Sequence, residues 1–140
     1  MNFSILPGIN SSTAALEAER VRLDIVSQNI ANANTTRGID GRPYQRQQVI
    51  FENLLQQQVN GQSTPLVHVA RIDNDTRPPK MVFNPGHPDA DPQGMVSMPD
   101  INIHEEMADM IAASRAYEAN LAVVKNARHM ALQTLSIGKR

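Results

Sequence analysis

The chain has 140 residues, and 13 Lys plus Arg stand against 14 Asp plus Glu for a net charge of −1, so no basic surplus points to nucleic acid or an anionic membrane surface as partner. Cysteine is absent, which removes disulfides, thiolate metal sites and a cysteine nucleophile together. Apolar residues make up 41% of the chain but aromatic ones only 4%, with no Trp: enough for one domain with a thin supply of large side chains.

Met1 to Gly8 carry neither a positive n-region nor a long apolar run, so a cleaved secretion signal is not expected. No apolar stretch approaches the ~20 residues of a bilayer span, and direct membrane insertion is not expected either. Neither glycine nor proline occurs from 10 to 37 or from 100 to 137; almost all of both lie between. These helix breakers divide the chain into an N-terminal assembly helix region (1–35), a small β- and turn-rich middle (36–101) and a C-terminal coiled-coil helix (102–140). The fold class expected is mainly α with a small β-rich middle, the N- and C-terminal helices forming a coiled coil.

Ser11-Ser12-Thr13 offers N-cap oxygens. Leu16, Leu23 and Ile30 then recur every seventh residue, joined by Val26 and Ala33, and a second line of Ala14, Ala18, Val21 and Ile25 runs beside them. The spacing predicts an amphipathic helix over about 12–32. Asn32-Ala33-Asn34-Thr35-Thr36 ends it, because short polar side chains compete for the backbone. Termination accounts for one or two of Asn29, Asn32 and Asn34; the other reading is that these amides bond main chain across a subunit junction.

In the middle, 44–51, 66–72 and 80–83 have strand composition, Asn60-Gly61 and Asn84-Pro85-Gly86 read as turns, and 54–60 is either a short helix or an exposed loop. His87, Asp89 and Asp91 alternate, so an extended chain projects all three from one face. With His68 or His104 they would make a metal site. Three prolines and two glycines in 84–94 favour a rigid loop whose aspartates bond their own backbone.

The last segment predicts a long helix from about 103. Asn102 caps it with Glu105 three residues on, Glu105, Glu106 and Asp109 suit its positive end, and Gly138 follows its last turn. Steps of four and three mark a heptad seam of Ile103, Met107, Met110, Ser114, Tyr117, Leu121, Val124, Arg128, Ala131 and Leu135. Ser114 and Arg128 are its polar breaks. Alanines elsewhere on the helix let a second helix approach closely. No nucleophile elbow or phosphate loop occurs, so no catalytic residue and no cofactor is expected.

Two stretches carry a resemblance. Val26-Ser27-Gln28-Asn29-Ile30-Ala31-Asn32-Ala33-Asn34-Thr35 resembles the N-terminal signature of the bacterial flagellar rod, hook and hook-associated proteins, and Met107-Ala108-Asp109-Met110-Ile111-Ala112-Ala113-Ser114-Arg115-Ala116-Tyr117-Glu118-Ala119-Asn120 their C-terminal one. Gly41-Arg42-Pro43-Tyr44-Gln45-Arg46, the stretch 84–91 and the short middle are similar to the proximal-rod branch; the insertion Thr36-Arg37-Gly38-Ile39-Asp40 departs from the hook-type turn. The resemblance implies a structural subunit of the periplasm-spanning rod, exported without a cleaved signal through the flagellar type III apparatus. Its partners would be copies of itself and other rod proteins, and both terminal helices would form an inner tube around the export channel and transmit torque. The assembly interface expected is Leu16, Leu23, Val26, Asn29, Ile30, Asn32, Asn34, Ile103, Met107, Met110, Tyr117, Asn120, Leu121, Val124 and Leu135. The rivals are another axial protein of the family, a metal-dependent hydrolase built on His87, Asp89 and Asp91, and a free-standing helical adaptor.

Overall fold

The computed structural model describes residues 7–57 and 63–138. A helix α1 (Pro7–Ala31) is followed by four strands, β1 (Gln47–Gln57), β2 (Ser63–Asn74), β3 (Lys80–Phe83) and β4 (Met95–Met98), and a long helix α2 (Ile103–Ile137). The strands form two separate antiparallel pairs, β1 with β2 and β3 with β4.

Helix α1 starts at Pro7, ahead of the serine cap read from the sequence. Proline fits a first helical turn because its missing N–H has no intrahelical partner there. Thr13 lies inside the helix instead, its hydroxyl donating to the Ile9 carbonyl (2.8 Å). The other end follows the sequence: Asn32 donates its amide to Gln28 O, accepts from the Thr35 hydroxyl, and closes a turn through Thr35 N–H to its own carbonyl.

Helix α2 begins where expected. Asn102 accepts from His104 N–H (3.1 Å) and donates to Glu105 Oε1 (3.0 Å), so the acid at the third position braces the cap side chain. Gly138 stays right-handed (φ −74, ψ −3) and returns its N–H to Thr134 O, so the left-handed C′ conformation usual for glycine is not adopted.

The hairpin β1–β2 is longer than the sequence suggests. Residues 54–57, read as a short helix or loop, extend β1, and the register slips by one between Ile50 and Phe51 so that Ala70 has no partner. That insertion is a β-bulge and bends the ribbon. The Asn60-Gly61 turn lies outside the described residues. The pair β3–β4 is joined by the loop 84–94, where Gly94 holds φ +79 and is packed so tightly that an added Cβ would stand 2.9 Å from Phe83 Cε2.

α1 lies between α2 on one side and the hairpin on the other. Arg22 reaches Asp109 and Asn29 reaches Glu106, so residue numbers fall along one helix as they rise along the other and the two are antiparallel. Ala14, Ala18 and Val21 face Val67 and Val69 of β2: the second apolar line of α1 covers the hairpin. Among the described residues the buried apolar core is small, comprising Ala18, Ile25, Val26, Ala33, Val96, Ala113 and Ala127.

The line of α2 turned toward α1 differs from the expected seam. Glu106, Ala113 and Ala127 are buried with Asn120 half-buried between them, while Met107 is 51% exposed, Ile103 and Leu135 are exposed, and Arg128 is in solvent. Met110, Tyr117, Val124 and Ala131 are half-buried and belong to both patterns. The inward stripe is therefore the predicted one turned by about half of the ~100° step between neighbours. Small side chains on that line let α1 come close, and the polar breaks Ser114 and Arg128 need not be buried.

Candidate assembly site

The residues expected to carry assembly divide into two sets. Val26 and Asn29 are buried inside the chain, and Leu16, Leu23, Ile30, Asn32, Met110, Tyr117, Asn120, Leu121 and Val124 are half-buried. Asn34, Ile103, Met107 and Leu135 face solvent. With them stand Ile111, Val123, Met130, Leu132 and Ile137, all at least half exposed and not singled out by the seam. After α1 is seated, α2 still presents large apolar side chains outward along its length. No helix among the described residues is long and apolar enough to cross a membrane.

Behind this surface lies a buried polar junction that the sequence reading missed. Asn29 is 1% exposed and uses its whole amide. Its Nδ2 donates to Gln47 O (2.8 Å) and to Glu106 Oε2 (3.0 Å), and its Oδ1 accepts from Gln47 N–H (2.9 Å) and the Tyr44 hydroxyl (3.0 Å). Two of these bonds go to main chain, that of Gln47 in the same chain, and two to the side chains of Glu106 and Tyr44. Glu106, also 1% exposed, takes Asn29 on one oxygen and Arg46 Nε (2.6 Å) on the other. Glu106 sits in the first turn of α2, as read from the sequence, and is also one half of an ion pair. Arg46 continues to Asp75 (3.7 Å), which Arg77 also binds (2.8 Å).

Burial pushes the Tyr44 phenol above its ordinary value, and the Glu106 charge pushes it the same way. The Asp75 carboxyl is held below its ordinary value, first by its hydrogen bonds from Arg77 and, more weakly, by the charges of Arg77 and Arg46. The signal available in sequence was Tyr44-Gln45-Arg46 following a glycine turn, but nothing local pairs it with a glutamate 60 residues away.

The loop 84–94 is a braced turn. Asp91 Oδ1 accepts from Gln93 N–H (2.9 Å) and Met95 N–H (2.8 Å), as an aspartate bonding its own backbone does. Asp89 accepts from the Thr36 hydroxyl (2.8 Å) and faces Arg37 (3.7 Å). His87 Nδ1 accepts from Asp89 N–H (3.1 Å) and lies 4.0 Å from the Asp89 carboxylate. Among the described residues no three His, Asp or Glu side chains converge on a cation-sized point.

The chain matches the family described as flagella basal body rod protein over residues 9–37 and the one described as flagellar basal body rod FlgEFG protein C-terminal over 93–137. It is 40% identical to the flagellar basal-body rod protein FlgC of Yersinia enterocolitica over 136 residues, 97% of this chain and 99% of that protein. FlgC of Salmonella typhimurium is 39% identical over 126 residues, covering 90% and 92% of the two chains. FlgC of Bacillus subtilis is 35% identical over 144, covering 94% and 96%.

Proposed function

The chain belongs to the FlgC family of flagellar basal-body rod proteins, and from that premise we propose that it polymerises through its terminal helices into the proximal rod. In this reading α1 and α2 pair with neighbouring copies and other rod proteins as a coiled coil. The resulting shaft spans the periplasm, carries torque and encloses the export channel, and the subunit reaches it through the flagellar type III apparatus without a cleaved signal. Its role is structural and not enzymatic.

The observation that carries the proposal is the second apolar face of α2. Met107 and Ile111, one turn apart, remain exposed after the helix has met its own partner, as do Leu132 and Leu135 toward its other end, and exposed apolar patches mark interaction sites. Ala113, Asn120 and Ala127 face inward, while Met107, Ile111 and Leu132 face outward. Within the chain, α2 thus packs closely; between chains, it has the larger side chains to bury.

Met107→Asp with Ile111→Asp tests this without touching the interior. Both positions are exposed, so the isolated protein should keep its helix content and its stability to within about 0.5 kcal/mol per site. It should be exported, yet be missing from purified basal bodies, and the cells should not swim. Glu118→Gln, also exposed, should assemble normally. Equal incorporation of both proteins would remove the outer face of α2 from the assembly surface.

A further inference from the structure

We infer that Asn29, Arg46 and Glu106 are positioning residues that set the angle between the β1–β2 hairpin and the α1–α2 pair, so that a twist applied to one is passed to the other. Consecutive residues at the foot of β1 are gripped by two different helices. Gln47 is held by Asn29 of α1 through paired bonds to its N–H (2.9 Å) and carbonyl (2.8 Å), as a neighbouring strand would hold it. Arg46 is held by Glu106 of α2 (2.6 Å), and Glu106 in turn ties back to Asn29 (3.0 Å).

Apolar packing holds only part of this junction, where Ala14, Ala18 and Val21 face Val67 and Val69 of β2. On the same side of the hairpin, α1 and β1 are separated by an open cleft of about 340 Å³, with Ile25, Val26, Val49 and Phe51 on its walls. Dispersion contacts fall away across a gap, and the hydrophobic effect has no direction. Charge-assisted and paired hydrogen bonds do have direction, and at 1% exposure for both Asn29 and Glu106 water cannot replace them as the hairpin turns. The chemistry at each position is specific. Glu106 must accept on both oxygens, and only a carboxylate does so; an amide would set an NH2 against either Arg46 or Asn29. Stability alone would not require the arrangement, since well-packed apolar residues often replace a buried ion pair without loss.

That last point separates positioning from mere support. The chain has no cysteine, so spin labels can be placed at Asn53→Cys on β1 and Arg115→Cys on α2, both exposed, and the distance distribution between hairpin and helix read by pulsed electron spin resonance. Glu106→Gln should broaden that distribution. Arg46→Met with Glu106→Leu should recover the melting temperature and leave the distribution broad. A distribution as narrow as the parent's in either protein would overturn the inference. In cells, the Met/Leu protein should enter basal bodies and swim in dilute medium but lose motility in viscous medium; parental swimming at every viscosity would overturn the torsional role. The spectroscopic result does not depend on the rod assignment, which fails separately if the unaltered protein is absent from basal bodies.

Discussion

Replacing Asn29 by Asp changes one NH2 into an oxygen and leaves size and shape alone, so it isolates the hydrogen-bond logic of the junction. Two donated bonds, to Gln47 O at 2.8 Å and Glu106 Oε2 at 3.0 Å, become contacts between oxygens. Two carboxylates ~3 Å apart repel by about 5 kcal/mol at an effective dielectric near 20. Holding a proton at pH 7 on a carboxyl whose ordinary value is about 4 requires only about 4 kcal/mol. The pair therefore takes up a proton, which limits the loss from the two carboxylates to about 4 kcal/mol, a large part of the ~5–15 kcal/mol that holds a domain together, and the unpaired Gln47 carbonyl adds to it. The folded variant then binds one proton more than its unfolded chain, so its stability falls as pH rises. Its deficit against the parent should shrink by about 1.4 kcal/mol for each unit from pH 7 down to about 4. Urea unfolding followed by circular dichroism at pH 7 and pH 5 measures both quantities. Asn34→Asp, at an exposed site, should change stability by no more than about 0.5 kcal/mol. The reasoning is refuted if the two variants match at pH 7, or if the Asn29→Asp deficit does not move with pH.

Two further outcomes follow from single positions. Gly94→Ala should destabilise by at least about 1–2 kcal/mol, because φ +79 suits only glycine and the new Cβ meets Phe83 at 2.9 Å and Pro85 at 3.1 Å; Gly86→Ala, with only Asn84 Oδ1 at 3.8 Å, should cost less, and thermal melts rank the two. In a Tyr117→Phe background the remaining Tyr44 should titrate above the ordinary ~10 of a tyrosine, since burial and the Glu106 charge both raise it. Its contribution to stability is present below that ordinary value and lost as pH climbs through the raised one. An absorbance midpoint at or below that of free tyrosine would contradict the assignment, and Glu106→Gln should lower the midpoint.

The order of elements was legible because it rests on local chemistry. Two long stretches without glycine or proline, spaced apolar residues and the cap at Asn102 are enough to specify α1 and α2. The loop at 84–94 was legible for the same reason, as Asp91 needs only Gln93 and Met95 to act. The family signatures at the two ends also belong to the sequence alone. β4 was not legible: Met95–Met98 is four residues long and becomes a strand only by pairing with β3.

Which face of α2 turns inward was decided by the tertiary structure. Periodicity marks a stripe, but two neighbouring lines of α2 both fit a period of three and four, one with Ala113, Asn120 and Ala127, the other with Met107, Ser114 and Leu121. Choosing between them depends on how near α1 can come and on where Glu106 finds a cation. Close approach favours alanine over methionine, and the cation is Arg46, brought from the foot of a strand 60 residues away. Asn29 likewise meets Glu106 across 77 residues. A pattern of neighbours along the chain records the turn of a helix; it holds no record of partners that only the fold brings within 3 Å of each other.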